Sequence, residues 1–127
     1  RLGKPYFPEH PEVHFNISHS SGAVLVGLSD QEIGVDIERI RPVGQRMMVR
    51  LAHVTTEEAF FQSWVRREAR AKRSGNGVGT IMRSESPLQP GEYYYELDTF
   101  PGYAAGLSTR SRELPGQLHR YSLDDML

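Results

Sequence analysis

Asp36 and Glu38 stand two residues apart in the segment IGVDIE at 33–38. On an extended strand that spacing is a rise of about 6.6–6.8 Å, with both carboxylates on one face. The chain has no cysteine, and oxygen donors alone suit a hard cation; two carboxylates with waters and a phosphate suit Mg²⁺. The same alternation is also what the solvated face of an antiparallel strand looks like. Glu68 and Lys72 share a helix face at i, i+4, which makes either a surface ion pair or, near a metal, a third ligand or base and a phosphate clamp. Trp64, one turn earlier, favours partial burial of that face. Ser18-His19-Ser20 offers hydroxyls, an imidazole and backbone N–H groups to a phosphate. A serine beside a histidine in sequence is no nucleophile–base pair, since such pairs assemble in space. Gly3-Lys4-Pro5 is a turn carrying one cation. The remaining histidines, His10, His14, His53 and His119, show no zinc spacing.

The elements that must carry these groups alternate strand and turn before a single long helix. Residues 13–18 (VHFNIS) alternate as a strand, 19–22 (HSSG) read as the turn after it, and 23–28 (AVLVGL) form the continuous apolar run of a buried strand. Residues 33–38 follow, with Ile33, Val35 and Ile37 opposite Asp36 and Glu38. Thr55 with Glu58 predicts a capping box for a helix through TEEAFFQSWVRREARAKRS that ends at Gly75. Phe61, Val65 and Ala69 form its core stripe. A second stripe of Phe60, Trp64, Glu68 and Lys72 passes from apolar to charged, as if emerging into a polar cleft. A short helix over 46–52 is a weaker reading, and strands are expected over 93–97, 103–108 and 118–122. The loop GNGVG at 75–79 follows a helix and lacks the ending of a phosphate-binding P-loop. The class is α+β: a small antiparallel or mixed sheet packed on one long helix.

The chain has 127 residues, enough for one domain, and 15 basic against 16 acidic residues. The balance excludes whole-domain attraction to nucleic acid or anionic lipid. A basic cluster at 70–73 is short and lies within a balanced helix. Hydrophobic content is 38% and mean hydropathy −0.51; no run approaches the ~20 apolar residues of a membrane helix. No signal peptide is visible behind Arg1, and a cytoplasmic location is expected.

Taken in order, Gly3-Lys4-Pro5, Phe15-Asn16-Ile17-Ser18-His19-Ser20, Gly34-Val35-Asp36-Ile37-Glu38 and Trp64-x-x-Arg67-Glu68-Ala69-x-x-Lys72 resemble the 4'-phosphopantetheinyl transferase superfamily. The order resembles its long, surfactin-synthetase-activating type, because the short holo-acyl-carrier-protein synthases place the GVDIE-like motif first. Pro101-Gly102-Tyr103 and the segment 121–127 resemble that type's C-terminal end. The resemblance implies transfer of the phosphopantetheine arm of coenzyme A to a serine of an acyl or peptidyl carrier protein, with release of adenosine 3',5'-bisphosphate. It implies that Asp36, Glu38 and Glu68 hold Mg²⁺, that Glu68 helps deprotonate the serine, and that Lys72, His19 and Ser18 bind phosphate oxygens. Lys4 and Pro5 would lie along the adenosine. Catalytic roles thus fall on Glu68, Lys72 and His19.

Arg67 replaces the usual lysine of the W-x-x-K-E-A motif, and the segment between Glu38 and Trp64 is short for the long type. Residues 1–30 are expected to end a first half and 31–127 to form a second, with Arg1 inside a larger two-half enzyme. A homodimer or an N-terminal half is then expected to complete the coenzyme A pocket. The competing reading is a truncated, non-catalytic module that binds coenzyme A or a carrier protein. No nucleic-acid or membrane partner is expected.

Overall fold

A two-residue turn creates the first sheet. In the computed structural model, which describes residues 8–75, 85–113, 116 and 118–121, β1 (His14–Ser20) and β2 (Ala23–Ser29) pair antiparallel from His14 opposite Ser29 to Ser20 opposite Ala23. Ser21 and Gly22 both have positive φ, 43° and 88°, as a tight hairpin turn requires. Because the turn needs only those two residues, His19 and Ser20 belong to the strand, and the expected turn over 19–22 is corrected.

The second sheet has the order β3-β5-β4. β3 (Ile33–Arg39) and β4 (Tyr93–Glu96) each lie antiparallel to the central β5 (Tyr103–Thr109). Its two faces carry separate cores. Ile33, Val35, Ile37, Ala105 and Leu107 pack with Ala23 and Leu25 of the hairpin. On the opposite face Ala104 joins Phe60, Phe61 and Val65 of the long helix α2 (Glu57–Ser74) and Met48 of α1 (Gln45–Ala52). The molecule is thus layered as hairpin, three-stranded sheet and helices, an α+β arrangement with two antiparallel sheets and two helices where one sheet on one helix was expected.

Two contacts bring α2 down onto β3. Phe61, Val65 and Ala69 are at most 1% exposed, the core stripe read from the sequence. Gly34 faces Ala69 and Arg73, and a Cβ there would strike the Ala69 carbonyl oxygen and the Arg73 backbone nitrogen. Gly75 ends the helix in the left-handed region with φ 78°, as expected. The N-cap is Thr56, not Thr55. The Thr56 hydroxyl accepts from the Ala59 N–H at 3.2 Å, and this one-residue shift removes the capping box with Glu58.

Two strand readings also change. β2 is buried on one face only: Ala23 and Leu25 are 7% exposed, but Val24, Val26 and Leu28 are 64, 55 and 66% exposed. A continuous apolar run therefore marks a hairpin strand with one solvent-facing side. Residues 118–121 form no strand, and Ser122 lies outside the described residues.

Candidate functional site

β1 and β3 run side by side without a backbone ladder. Their connection is made by alternate polar side chains of β1, which meet successive N–H groups along the open edge of β3. Asn16 Oδ1 accepts from Val35 N–H at 2.9 Å, Ser18 Oγ from Ile37 N–H at 3.1 Å and Ser20 Oγ from Arg39 N–H at 3.1 Å. Residue numbers rise together along the two strands, so the alignment is parallel with a constant offset. The period of two along β1 places Asn16, Ser18 and Ser20 on one face. Each oxygen satisfies an N–H that a lone sheet edge would leave unpaired.

The two serines then use their hydroxyl protons on the two carboxylates. Ser18 Oγ donates to Asp36 Oδ1 at 2.9 Å, and Ser20 Oγ donates to Glu38 Oε2 at 3.2 Å. The pair expected from 33–38 is therefore held by a matching pair on β1. Arg41 Nη1 also donates to Glu38 Oε2, at 3.0 Å. The Ser20 hydroxyl thus serves a carboxylate, where the sequence suggests a phosphate; the clue is the shared i, i+2 spacing of Ser18/Ser20 and Asp36/Glu38.

Asp36 is not part of a solvated face. It is 5% exposed, and its Oδ2 is buried with no hydrogen-bond partner. Burial pushes its pKa up to about 6, against the opposing pull of Lys72 and Ser18 and with a further push from Glu38. Glu68, on α2, is also raised, first by burial, with Lys72 opposing and Glu38 adding. Asp36, Glu38 and Glu68 thus share one electrostatic neighbourhood where β3 meets α2.

Lys72 crosses from α2 to the seam between β1 and β3. Its Nζ donates to the Val35 carbonyl at 3.1 Å, to Asp36 Oδ1 at 3.3 Å and to the Ile17 carbonyl at 3.4 Å. The helix stripe does pass from core to charge, but Lys72 reaches across to Asp36 and the strand carbonyls. His19 lies elsewhere. Next to buried Ser18 on a strand, it is exposed on the opposite face, so the structure does not bring it to the carboxylates. Lys4 and Pro5 lie outside the described residues, as do four of the five residues of the loop at 75–79.

A cation fits this donor set. The unpartnered buried Asp36 Oδ2 is an acceptor awaiting positive charge, and the raised Asp36 and Glu68 carboxyls would be neutralised by one. All donors are oxygen, which suits Mg²⁺ over a soft metal. Among the described residues, no three His, Cys, Asp or Glu side chains stand already grouped as a coordination sphere.

The basic residues of α2 are engaged internally. Arg70 donates to Glu92 at 2.8 and 3.0 Å and to Glu85 at 3.1 Å, and Arg73 donates to Ser108 Oγ at 3.0 Å and Glu92 at 3.3 Å. Arg67 donates to the Leu51 carbonyl at 2.8 Å. It thereby ties α2 to the end of α1, and its guanidinium serves that packing contact.

No protein-family model matches the chain. Over 151 aligned positions it is 28% identical to the 4'-phosphopantetheinyl transferase Sfp of Bacillus subtilis (strain 168), covering 98% of this chain and 67% of the relative. It is 32% identical over 99 positions to the 4'-phosphopantetheinyl transferase AcpT of Escherichia coli (strain K12), covering 66% of this chain and 51% of the relative. With the 4'-phosphopantetheinyl transferase gsp of Aneurinibacillus migulanus it shares 30% identity over 127 positions, covering 80% of this chain and 52% of the relative. The chain therefore spans about half to two thirds of the length of these curated relatives.

Proposed function

We propose, from its similarity to 4'-phosphopantetheinyl transferases, that this chain belongs to their superfamily and transfers the 4'-phosphopantetheine arm of coenzyme A to a serine of an acyl or peptidyl carrier protein. Adenosine 3',5'-bisphosphate would be the second product. One observation carries the reading furthest: Asp36 is buried with Oδ1 held by Ser18 and Lys72 and with Oδ2 left without a partner. An unsatisfied buried carboxylate oxygen costs about 1–3 kcal/mol, a cost that a bound cation would offset.

Asp36, Glu38 and Glu68 would hold Mg²⁺, which when bound neutralises charge on the pyrophosphate. The chain's own residues do the rest. Ser18 and Ser20 fix the two carboxylates of β3 before substrate arrives. Glu68, with its pKa raised by burial, is a stronger base than an exposed carboxylate and would take the proton from the attacking serine hydroxyl. Lys72 sets a positive charge beside Asp36, where it would face developing negative charge on a phosphate oxygen. His19, Lys4 and Pro5 would contact coenzyme A, with Lys4 and Pro5 along the adenosine, while Ser18, its hydroxyl committed to Ile37 N–H and Asp36, would act through that carboxylate. The fold would be one half of the long type's paired architecture, completed by a second copy or an N-terminal half, and a cytoplasmic location fits these substrates.

The test is a mass measurement. With Mg²⁺ and coenzyme A, an apo carrier protein should gain the mass of the arm, and Asp36→Ala should abolish the gain. Coenzyme A binding by calorimetry without any mass gain, from this chain and from a version extended at its N-terminus, would instead establish the non-catalytic binding module.

A further inference from the structure

Asp36 Oδ2 has a counterpart. The Tyr94 hydroxyl is also buried without a hydrogen-bond partner. One is an acceptor and the other a donor, and the sheet register places them on one face of β3-β5-β4. Asp36 is paired with Gly106 across β3 and β5, while Tyr94 is paired with Ser108 on the far side of β5. Gly106 has no side chain, and a Cβ built on it would collide with the Tyr94 hydroxyl oxygen. The phenol therefore occupies the volume of the residue directly across from Asp36. Directly opposed side chains have Cβ atoms about 4.5–5.5 Å apart, within reach of a hydrogen bond after a small torsional change.

The shared face is fixed by two contacts. Gly34, two residues before Asp36, faces the backbone of α2, and Ser108 on β5 accepts a hydrogen bond from Arg73 of α2. Asp36, Gly106 and Tyr94 thus lie in the layer between β3–β5–β4 and α2. Burial pushes the phenol pKa up, Arg66 opposes, and the nearby carboxylates Glu96, Asp36 and Glu85 add to the rise. The hydroxyl stays protonated and remains a donor. Phenylalanine would keep the ring in place and leave empty only the hydroxyl's own volume beside Gly106.

We infer that Tyr94 is a positioning residue for the cation site, donating a hydrogen bond to Asp36 Oδ2 when that carboxylate turns to hold a cation. Ser18 and Lys72 orient Oδ1 from the β1 side, and Tyr94 orients Oδ2 from the β5 side. A carboxylate oxygen has lone pairs for both a hydrogen bond and a metal, and groups that orient ligands in this way set metal affinity. The inference rests on the reading of Asp36 as a cation ligand.

Mg²⁺ titrated into the full chain by calorimetry separates the two ideas. Asp36→Asn should remove binding; if the unmodified chain binds no Mg²⁺, or Asp36→Asn binds as well as the parent, the cation reading itself fails and this inference with it. Tyr94→Phe should weaken Mg²⁺ about 10-fold or more while its thermal unfolding midpoint in metal-free buffer does not fall. If Tyr94→Phe keeps the parent's Mg²⁺ affinity while Asp36→Asn loses binding, Tyr94 has no role toward Asp36 and only this inference is overturned. The unmodified chain supplies a second readout free of folding effects. The Tyr94 hydroxyl proton should shift in its NMR resonance on Mg²⁺ addition, and an unmoved signal counts against the hydrogen bond.

Discussion

Ser18 is the residue on which the seam between β1 and β3 turns, because one hydroxyl serves two buried groups. It accepts from Ile37 N–H and donates to Asp36, so its loss leaves an unpaired donor and an unanchored carboxylate together. Leaving a buried polar group unsatisfied costs about 1–3 kcal/mol. Ser18→Ala should therefore lower unfolding free energy by about that amount in urea titrations, without metal present. Ser20→Ala should cost less, because Ser20 is only partly buried and its Glu38 partner keeps Arg41. Equal losses at the two serines would mean that the polar seam does not depend on the buried carboxylate. The serine–histidine adjacency that first draws notice in the sequence is a by-product of strand alternation. Ser18 turns inward to the carboxylates, and His19 turns outward.

At the scale of elements, α2 is locked to the sheet by charge as well as by its apolar stripe. Glu92, just before β4, is 7% exposed and receives Arg70 and Arg73 of α2 together with the Gln89 N–H at 3.0 Å. Burial alone would raise its pKa, but Arg70, the Gln89 N–H and Arg73 outweigh burial and hold the carboxyl at about 2. A depressed carboxyl contributes stability above its unfolded value of 4.5, and that contribution is lost as pH falls toward 2. Glu92→Gln removes the carboxylate that Arg70 and Arg73 share, while Arg70 keeps Glu85 and Arg73 keeps Ser108, and should cost about 1–3 kcal/mol at neutral pH. The variant should also lose less stability than the parent between pH 4.5 and 2, read from urea midpoints across that range. The sequence showed α2, its stop at Gly75, its core stripe and the inward face of β3, because those signals are local. It did not show Glu92, since a carboxylate in a loop acquires meaning only when a helix about twenty residues earlier is laid across it. The same limit applies to β2, whose apolar run AVLVGL hid a half-exposed strand: apolar residues carry no record of which face is covered.

Over the whole molecule, the candidate site is a junction of three layers. β1 supplies serines, β3 two carboxylates, and α2 Glu68 and Lys72. Their types and spacing were legible within each segment, but their convergence was not, because the polar seam between β1 and β3 replaces the backbone ladder that sequence patterns announce. Tyr94 was invisible for the same reason: its hydroxyl matters only where Gly106 leaves room for it. A cation bound at this junction would touch groups on both β3 and α2, so binding and folding must be linked. At a concentration 100-fold above its dissociation constant, a ligand bound only by the folded chain adds about 2.7 kcal/mol of stability. Mg²⁺ should therefore raise the thermal unfolding midpoint of the unmodified chain, and Asp36→Asn and Glu68→Gln should each reduce that rise. Glu92→Gln should lower the starting midpoint yet keep the full rise, since Glu92 bonds Arg70, Arg73 and the Gln89 N–H and not Lys72. The rise should also shrink below about pH 6, where a proton on Asp36 competes with the cation. If Glu68→Gln kept the whole increment while Asp36→Asn lost it, the cation would belong to β3 alone, and α2 would contribute only its base and its lysine.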